Sequence, residues 1–418
     1  MNSRRVFLKN SGLALFGIGI TGIPNFVKAA VDAHKSNVLF NKNKTLICIF
    51  QRGAMDGLMA VCPFTDKYLK EARPTLFMEP AGNKSLIDLD GKFGLHPSLK
   101  PFESLFREKR MAIVHGMGSP NTTRSHFDAQ DYMESGTPFN KGTSSGWLNR
   151  VVGQSQQKNP SPFQAVSITT SLPRSLYGDN SALAISNIAD FKVQLKGNKI
   201  ATNTAAKSFE DLYDQASSDL LKETSKESFD AIKILEQSAS NKYQPNAGVS
   251  YPNSALGNSL KQIAQLVKMN VGLEVAFAES GGWDTHNNQG TETGNFAKNA
   301  DDLSACITAL WNDLGALQDD VTIMTMTEFG RTVKQNGTNG TDHGRASCSF
   351  IIGNHVNGGI VHHNMKSLDK QNLEDGRDLP VSTDFRAIFS EVANKHLKVT
   401  NNKLLFPDWK GDAVGVMK

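Results

Sequence analysis

At 418 residues, with 39% hydrophobic and 21% charged residues, the chain has ordinary globular usage and length enough for a sizeable core, which excludes a disordered or low-complexity protein. A net charge of +4 over that length gives no basis for a nucleic-acid partner, and no RNP, zinc-finger or helix-turn-helix pattern occurs. Four cysteines, Cys48, Cys62, Cys306 and Cys348, lack a CxxC spacing, which excludes thiolate zinc, and they do not read as a disulfide framework.

In chain order, Ser3-Arg4-Arg5-Val6-Phe7-Leu8-Lys9 precedes an apolar run from Gly12 to Ile23 and the small-residue site Val27-Lys28-Ala29. Residues 1–29 therefore read as a twin-arginine export signal cleaved after Ala29. The run is far short of the roughly 20 residues that span a bilayer, so no integral membrane span is expected after cleavage. The expected location is the periplasm or cell surface, reached in the folded state. The remainder, 30–418, reads as one α/β domain.

Lys44 to Phe50 is a continuous apolar run rich in strand formers, as in a strand buried on both faces, and it ends in "QRGAMDG" (51–57). Met111 to His115 is a second such run, followed by "GMGSPNTTRSHFDAQ" (116–130). A polar, glycine-free stretch at about 205–245 reads as an inserted helical pair or cap. Leu273 to Ala278 is a third strand, ending in "ESGGWDTH" (279–286). Leu303, Cys306, Ile307, Leu310, Trp311, Leu314 and Leu317 then recur at helical spacing before a fourth strand, Val321 to Met326. That order is a βαβ crossover, so a mostly parallel sheet flanked by helices is expected. The fourth strand ends in "TEFGR" (327–331), with "GTDHGRASC" (340–348) just beyond.

In open parallel sheets the ligand crevice lies outside the carboxyl ends of the strands. All four runs end there in carboxylate, histidine or serine clusters, so one shared site is expected. Asp56, Asp284, Glu328 and Asp342 supply oxygen donors and His126, His286 and His343 supply imidazoles, a mixture suited to divalent metal ions such as zinc, manganese or calcium. Carboxylates crowded without a cation would repel one another. Each residue also has a plainer role open to it. Asp56 fits a turn before Gly57, Asp284 a helix cap, His286 a surface histidine, and Ser125 with Asp128 a capping box. Glu328 fits either a metal ligand or a group that orients one or pairs with Arg331. Arg52, Arg124, Arg331 and Arg345 flank the motifs and fit either an anion clamp or ion pairs.

The motifs "QRGAMDGL", "TTRSHFDAQDYMESG", "SGWLNR", "GGWDTHNNQ", "MTEFGRTVKQNGTNGTDHGRAS" and "IIGNHVNGG", running from about residue 44 to 361, resemble those of the bacterial DUF1501 family. That family is grouped with the alkaline phosphatase and sulfatase superfamily. The resemblance implies an alkaline-phosphatase-like α/β fold and a two-ion site hydrolysing phosphate or sulfate esters of small molecules or polymers. It implies Asp56, Asp284, His286, Glu328, Asp342 and His343 as metal ligands and Ser125 as nucleophile; of the four flanking arginines, Arg124 and Arg331 are the ones expected to bind the anion at the catalytic centre. The alternative class is an exported metal-binding or assembly protein that retains the fold without catalysis. Oligomeric state is not legible.

Overall fold

The computed structural model describes residues 44–82, 85–156, 161–190 and 243–418. The export signal expected at 1–29 lies outside the described residues, as does the helical insertion expected at about 205–245 except for its last three positions.

Twelve strands are described: β1 (Thr45–Gln51), β2 (Val61–Cys62), β3 (Ile87–Asp88), β4 (Gly94–Leu95), β5 (Met111–Gly118), β6 (Ala165–Ser167), β7 (Leu183–Ala184), β8 (Val275–Ser280), β9 (Val321–Met326), β10 (Ser347–Ile352), β11 (Val361–His362) and β12 (Thr383–Asp384). The four apolar runs are thus strands β1, β5, β8 and β9. They lie in one sheet of order β11-β5-β10-β9-β1-β8-β6-β7, with β12 also pairing β5, while β2, β4 and β3 form a small separate sheet. Every pairing in the large sheet is parallel except those of β10, which runs antiparallel to both β5 and β9.

Both faces of this sheet are covered, which is why its central strands are apolar at successive positions rather than at every second one. Side chains alternate across the pleat. Ile47 and Ile49 of β1 enter one core and Leu46, Cys48 and Phe50 the other. On the first face pack the helices α2 (Ala255–Lys268) and α3 (Asn295–Leu314), and on the second pack α1 (His126–Ser135) through Met133 and α4 (Phe385–Leu397). Helix α3 is the crossover between β8 and β9. Its Leu303, Cys306, Ile307, Leu310, Trp311 and Leu314 are buried, the face expected from their spacing. The fold is therefore a mixed α/β sandwich with a mostly parallel sheet. Among the described residues no helix is long and apolar enough to cross a membrane. All four cysteines are free and buried.

The antiparallel strand of the large sheet, β10, matters for the site. Parallel strands β1, β8 and β9 end at one rim, and an antiparallel neighbour begins there. Ser347 at the start of β10 pairs with Met117 near the end of β5. The loop before β10, carrying Asp342 and His343, is thereby delivered to the rim where the "ESGGWDTH" and "TEFGR" loops emerge.

Candidate metal centre

The site is assembled from four strand-end loops. Glu328, two residues past β9, is fully buried. Its Oε1 accepts from His126 Nδ1 (2.8 Å), Gln130 Nε2 (2.8 Å) and the Gly53 amide (2.9 Å), and its Oε2 accepts from the Thr327 hydroxyl (3.1 Å). A carboxylate so placed would be costly without these donors. Gly53 is required here on two counts. Its φ of 115° lies in the region that favours glycine, and a β-carbon would meet the Asp284 amide nitrogen at 2.5 Å.

Asp284 follows the turn after β8. Trp283 is 1% exposed, packs edge-on against Phe296 and donates its indole N–H to Ser280 Oγ (3.1 Å). With Trp283 pinned inward, Asp284 is turned outward to the rim, where Arg331 Nη1 donates to its Oδ1 (2.7 Å). His286 comes two residues later, its Nδ1 2.9 Å from Asp342 Oδ1. His343 Nδ1 lies 2.9 Å from the main-chain carbonyl of Arg124.

Each of the three rings thus has its Nδ1 against an acceptor: Glu328 for His126, Asp342 for His286, the Arg124 carbonyl for His343. Those partners place the proton on Nδ1 and leave a lone pair on Nε2. The Nε2 atoms of His126 and His286 both approach that of His343, and one ligand atom each from His126, Asp284 and His343 lie within 4.8 Å of one another. His343 Nε2 is 3.0 Å from His126 Nε2 and 2.8 Å from His286 Nε2. The Asp284 carboxylate joins them, with Oδ1 3.1 Å from His286 Nε2 and 3.3 Å from His343 Nε2, and Oδ2 3.5 Å from His126 Nε2. Convergent lone pairs repel unless a cation lies among them. Zn–N bonds of about 2.0–2.1 Å set tetrahedral ligands roughly 3.3 Å apart, close to these separations. The donor set fits one divalent ion.

The carboxylates of the cluster are held ionised by the donors around them. Partial burial works to raise the Asp284 carboxyl, but the Arg331 guanidinium and the His286 and His126 rings hold it below the ordinary carboxylate range. Burial likewise opposes the Glu328 carboxylate, and its hydrogen bonds from His126, Gln130 and Gly53 overcome that and hold it low. Asp342 is also lowered, its desolvation outweighed by hydrogen bonds from His286 and Asn336.

The remaining expected site residues lie differently. Asp56 is not part of this cluster. It is 1% exposed and held by Arg73 through Nη1 (2.8 Å) and Nη2 (3.1 Å), by Gln289 Nε2 (2.7 Å) and by the Met59 amide it caps (3.2 Å). A guanidinium thus takes the place expected for a metal ion, and the geometry offers no second ion site there. Glu328 and Asp342 stand behind His126 and His286 rather than among the converging atoms. Ser125 is exposed immediately before α1, and its hydroxyl does not cap the helix, so the capping box with Asp128 is not formed. Arg124 is tied to Asp378 and Asp375, and Arg331 to Asp284 and Thr341. Arg52 pairs with Glu134 and Glu279, and Arg345 with Glu374. His126 enters the converging set although the resemblance assigned that strand end to Ser125. Gln130, four residues on and hence on the same helix face, is a further member that the sequence signalled only by this spacing.

The buried Arg73–Asp56 pair gives a stability prediction. Arg73→Met removes every donor from Asp56 but Gln289 and the Met59 amide, and also releases the Thr332 and Val333 carbonyls that Arg73 binds. Breaking a buried pair from one side costs about 3–5 kcal/mol. Urea denaturation should show that loss; a change below about 1 kcal/mol would mean that Asp56 finds another counter-charge.

A family model described as "Protein of unknown function (DUF1501)" matches residues 43–405. A comparison with curated proteins finds no match. Among solved structures the chain is similar to the zinc complex of the C-terminal periplasmic domain of EcEptC from Escherichia coli, at 10% identity and a TM-score of 0.33, covering 75% of this chain and 73% of that one. It is similar also to the PsFucS1 sulfatase from Pseudoalteromonas, at 12% identity and 0.33, covering 81% and 68%. A third is the lipoteichoic acid synthase LtaP from Listeria monocytogenes, at 9% identity and 0.30, covering 80% and 69%.

Proposed function

The chain belongs to the DUF1501 family, and from the geometry of its rim we propose that it is an exported hydrolase dependent on one divalent metal ion, acting on phosphate or sulfate esters of small molecules or polymers. The observation that carries the reading is the meeting of three Nδ1-anchored imidazoles, His126, His286 and His343, with the Asp284 carboxylate. Three nitrogen donors and one carboxylate suit zinc better than manganese and exclude a calcium preference, since calcium takes oxygen ligands. A bound ion would supply Lewis acidity toward an ester oxygen. The protein's part is to hold the three rings in one tautomer through Glu328, Asp342 and the Arg124 carbonyl, and to balance Asp284 with Arg331. Ser125, exposed and next to His126 in the chain, is the residue we assign as nucleophile, on the resemblance of the motifs. The ester class itself rests on the resemblance of the motifs.

One observation favours a second reading, a non-catalytic exported metal-binding or assembly protein. Arg52, Arg124, Arg331 and Arg345 are all engaged by carboxylates, which leaves none of these four poised to clamp an anionic ester. Metal analysis of the purified chain, beside a panel of phosphate mono-, di- and sulfate esters, separates the two. The hydrolase reading expects one ion per chain and turnover that a chelator abolishes and zinc restores. One ion without turnover of any ester gives the second reading, and a chain without metal sinks both.

Export by the twin-arginine route is the location we propose with it. Changing Arg4 and Arg5 together to lysine should leave the protein in the cytoplasm; undiminished accumulation outside it would remove this part of the reading.

A further inference from the structure

We propose that Asp378 is a positioning residue for the metal centre, acting through two arginines on the central imidazole, His343. The inference rests on the metal reading above. Asp378 is fully buried and touches none of the converging atoms. Its Oδ2 accepts from Arg124 Nε (2.9 Å), Arg124 Nη2 (2.6 Å) and Arg377 Nη2 (2.9 Å), and its Oδ1 accepts from Arg377 Nε (3.0 Å).

What the two arginines do next is the reason for the assignment. Arg124 presents its main-chain carbonyl to His343 Nδ1 at 2.9 Å, and Arg377 donates from Nη2 to the His343 main-chain carbonyl at 2.9 Å. One buried carboxylate therefore grips two of the residues that hold His343, one at its ring and one at its backbone, beside the bridge its backbone makes with Arg331. The side chains of the other two anchors, Glu328 and Asp342, meet their rings directly, whereas the anchor for His343 is a loop carbonyl, which is only as well placed as the loop that carries it. Arg124 also lies two residues before His126, so the same grip holds the segment that leads into α1. His343 is the ring whose Nε2 contacts both other imidazoles. A loose Arg124 would thus blur the ligand that the other two converge on. Partners that orient metal-binding histidines are worth about tenfold to a hundredfold in metal affinity.

The test uses the full mature chain, with cobalt(II) and zinc(II) as probes. Wild type should bind one equivalent of cobalt with the visible absorption of a four-coordinate site. Asp378→Asn should bind both metals about tenfold more weakly, the low end of what a direct partner of a ligating ring supplies, with a changed cobalt spectrum. Asp375→Asn is the control. It removes the exposed carboxylate that also pairs with Arg124 (3.0 Å) and should change neither affinity nor spectrum. A purely structural Asp378 would lower the melting temperature of the metal-free chain while leaving the metal-induced rise in melting temperature and the cobalt spectrum as in wild type. That result overturns the proposal. Should Asp378→Asn not fold, Arg124→Gln decides, since it keeps the carbonyl but loses the grip. Weakened binding with an altered spectrum supports the brace, and wild-type binding overturns it. A wild-type chain that takes up no metal instead overturns the reading on which the inference stands.

Discussion

His343→Ala is expected to weaken zinc binding by about a hundredfold or more, the largest effect of any single change at the site. Apparent zinc affinities of about 10–16 kcal/mol shared among four ligands give roughly 3 kcal/mol each. His343 is also the ring whose Nε2 lies within 3.3 Å of both other imidazoles and of Asp284, so its loss leaves three donors without their common neighbour. Glu328→Gln is the informative companion. Glu328 faces His126 Nδ1 rather than the converging atoms, so its amide should keep one ion per chain and weaken affinity by only about tenfold to a hundredfold, through a less firmly held ring. Equilibrium competition against a chromophoric chelator measures both. Complete loss of metal in Glu328→Gln with a mild effect in His343→Ala would reverse the assignment and make Glu328 a ligand.

That distinction shows where the sequence was legible. Strands β1, β5, β8 and β9 were readable because burial on both sheet faces leaves continuous apolar runs, and α3 because its apolar positions keep one helical face. The clustering of polar residues at the strand ends followed from topology. What pattern could not resolve was depth within the cluster. A carboxylate just past a strand looks the same whether it meets a metal, as the Asp284 geometry suits, a ligand ring, as Glu328 does, or a guanidinium, as Asp56 does. Arg73, 17 residues beyond Asp56, carries no local mark of that pairing. Strand β10 escaped for a related reason. Ser347 and Ser349 interrupt its apolar character, and only the fold reveals that their hydroxyls are satisfied by the Met55 and Thr325 carbonyls, both at 2.6 Å. Because β10 is antiparallel, it was also the element that brought "GTDHGR" to the rim.

Acid should unfold the metal-free protein between pH 6.5 and about 4, through three histidines that play no part in the site. Burial lowers His115, His396 and His96 from the ordinary 6.5 to about 4 in each case. Each ring sits in a neutral hydrogen-bonding arrangement. His115 Nε2 donates to the Val61 and Gly57 carbonyls while its Nδ1 accepts from the Gly116 amide (2.9 Å). His96 Nε2 donates to the Thr291 carbonyl while its Nδ1 accepts from the Ser98 amide (3.1 Å). His396 Nε2 donates to the Thr45 carbonyl, with the Thr322 hydroxyl against Nδ1. A second proton on the His115 or His96 ring would face an N–H, so the fold refuses it. Below pH 6.5 the unfolded chain accepts protons that the native state does not, and stability falls as pH falls. The contribution is intact above 6.5 and fully lost below about 4, at roughly 3 kcal/mol for each ring and on the order of 10 kcal/mol for the three. That is comparable with the roughly 5–15 kcal/mol that holds a typical domain together. Circular dichroism of chelator-treated protein from pH 8 to 4 measures it without the competing loss of metal. His115→Gln, which cannot titrate, should lower the slope of stability with pH across this window by about one third, whatever it does to stability at pH 8. A melting temperature that stays level from pH 7 to 4.5 would mean that these rings accept protons in the native state, and that the carbonyls and amides around them move to let them.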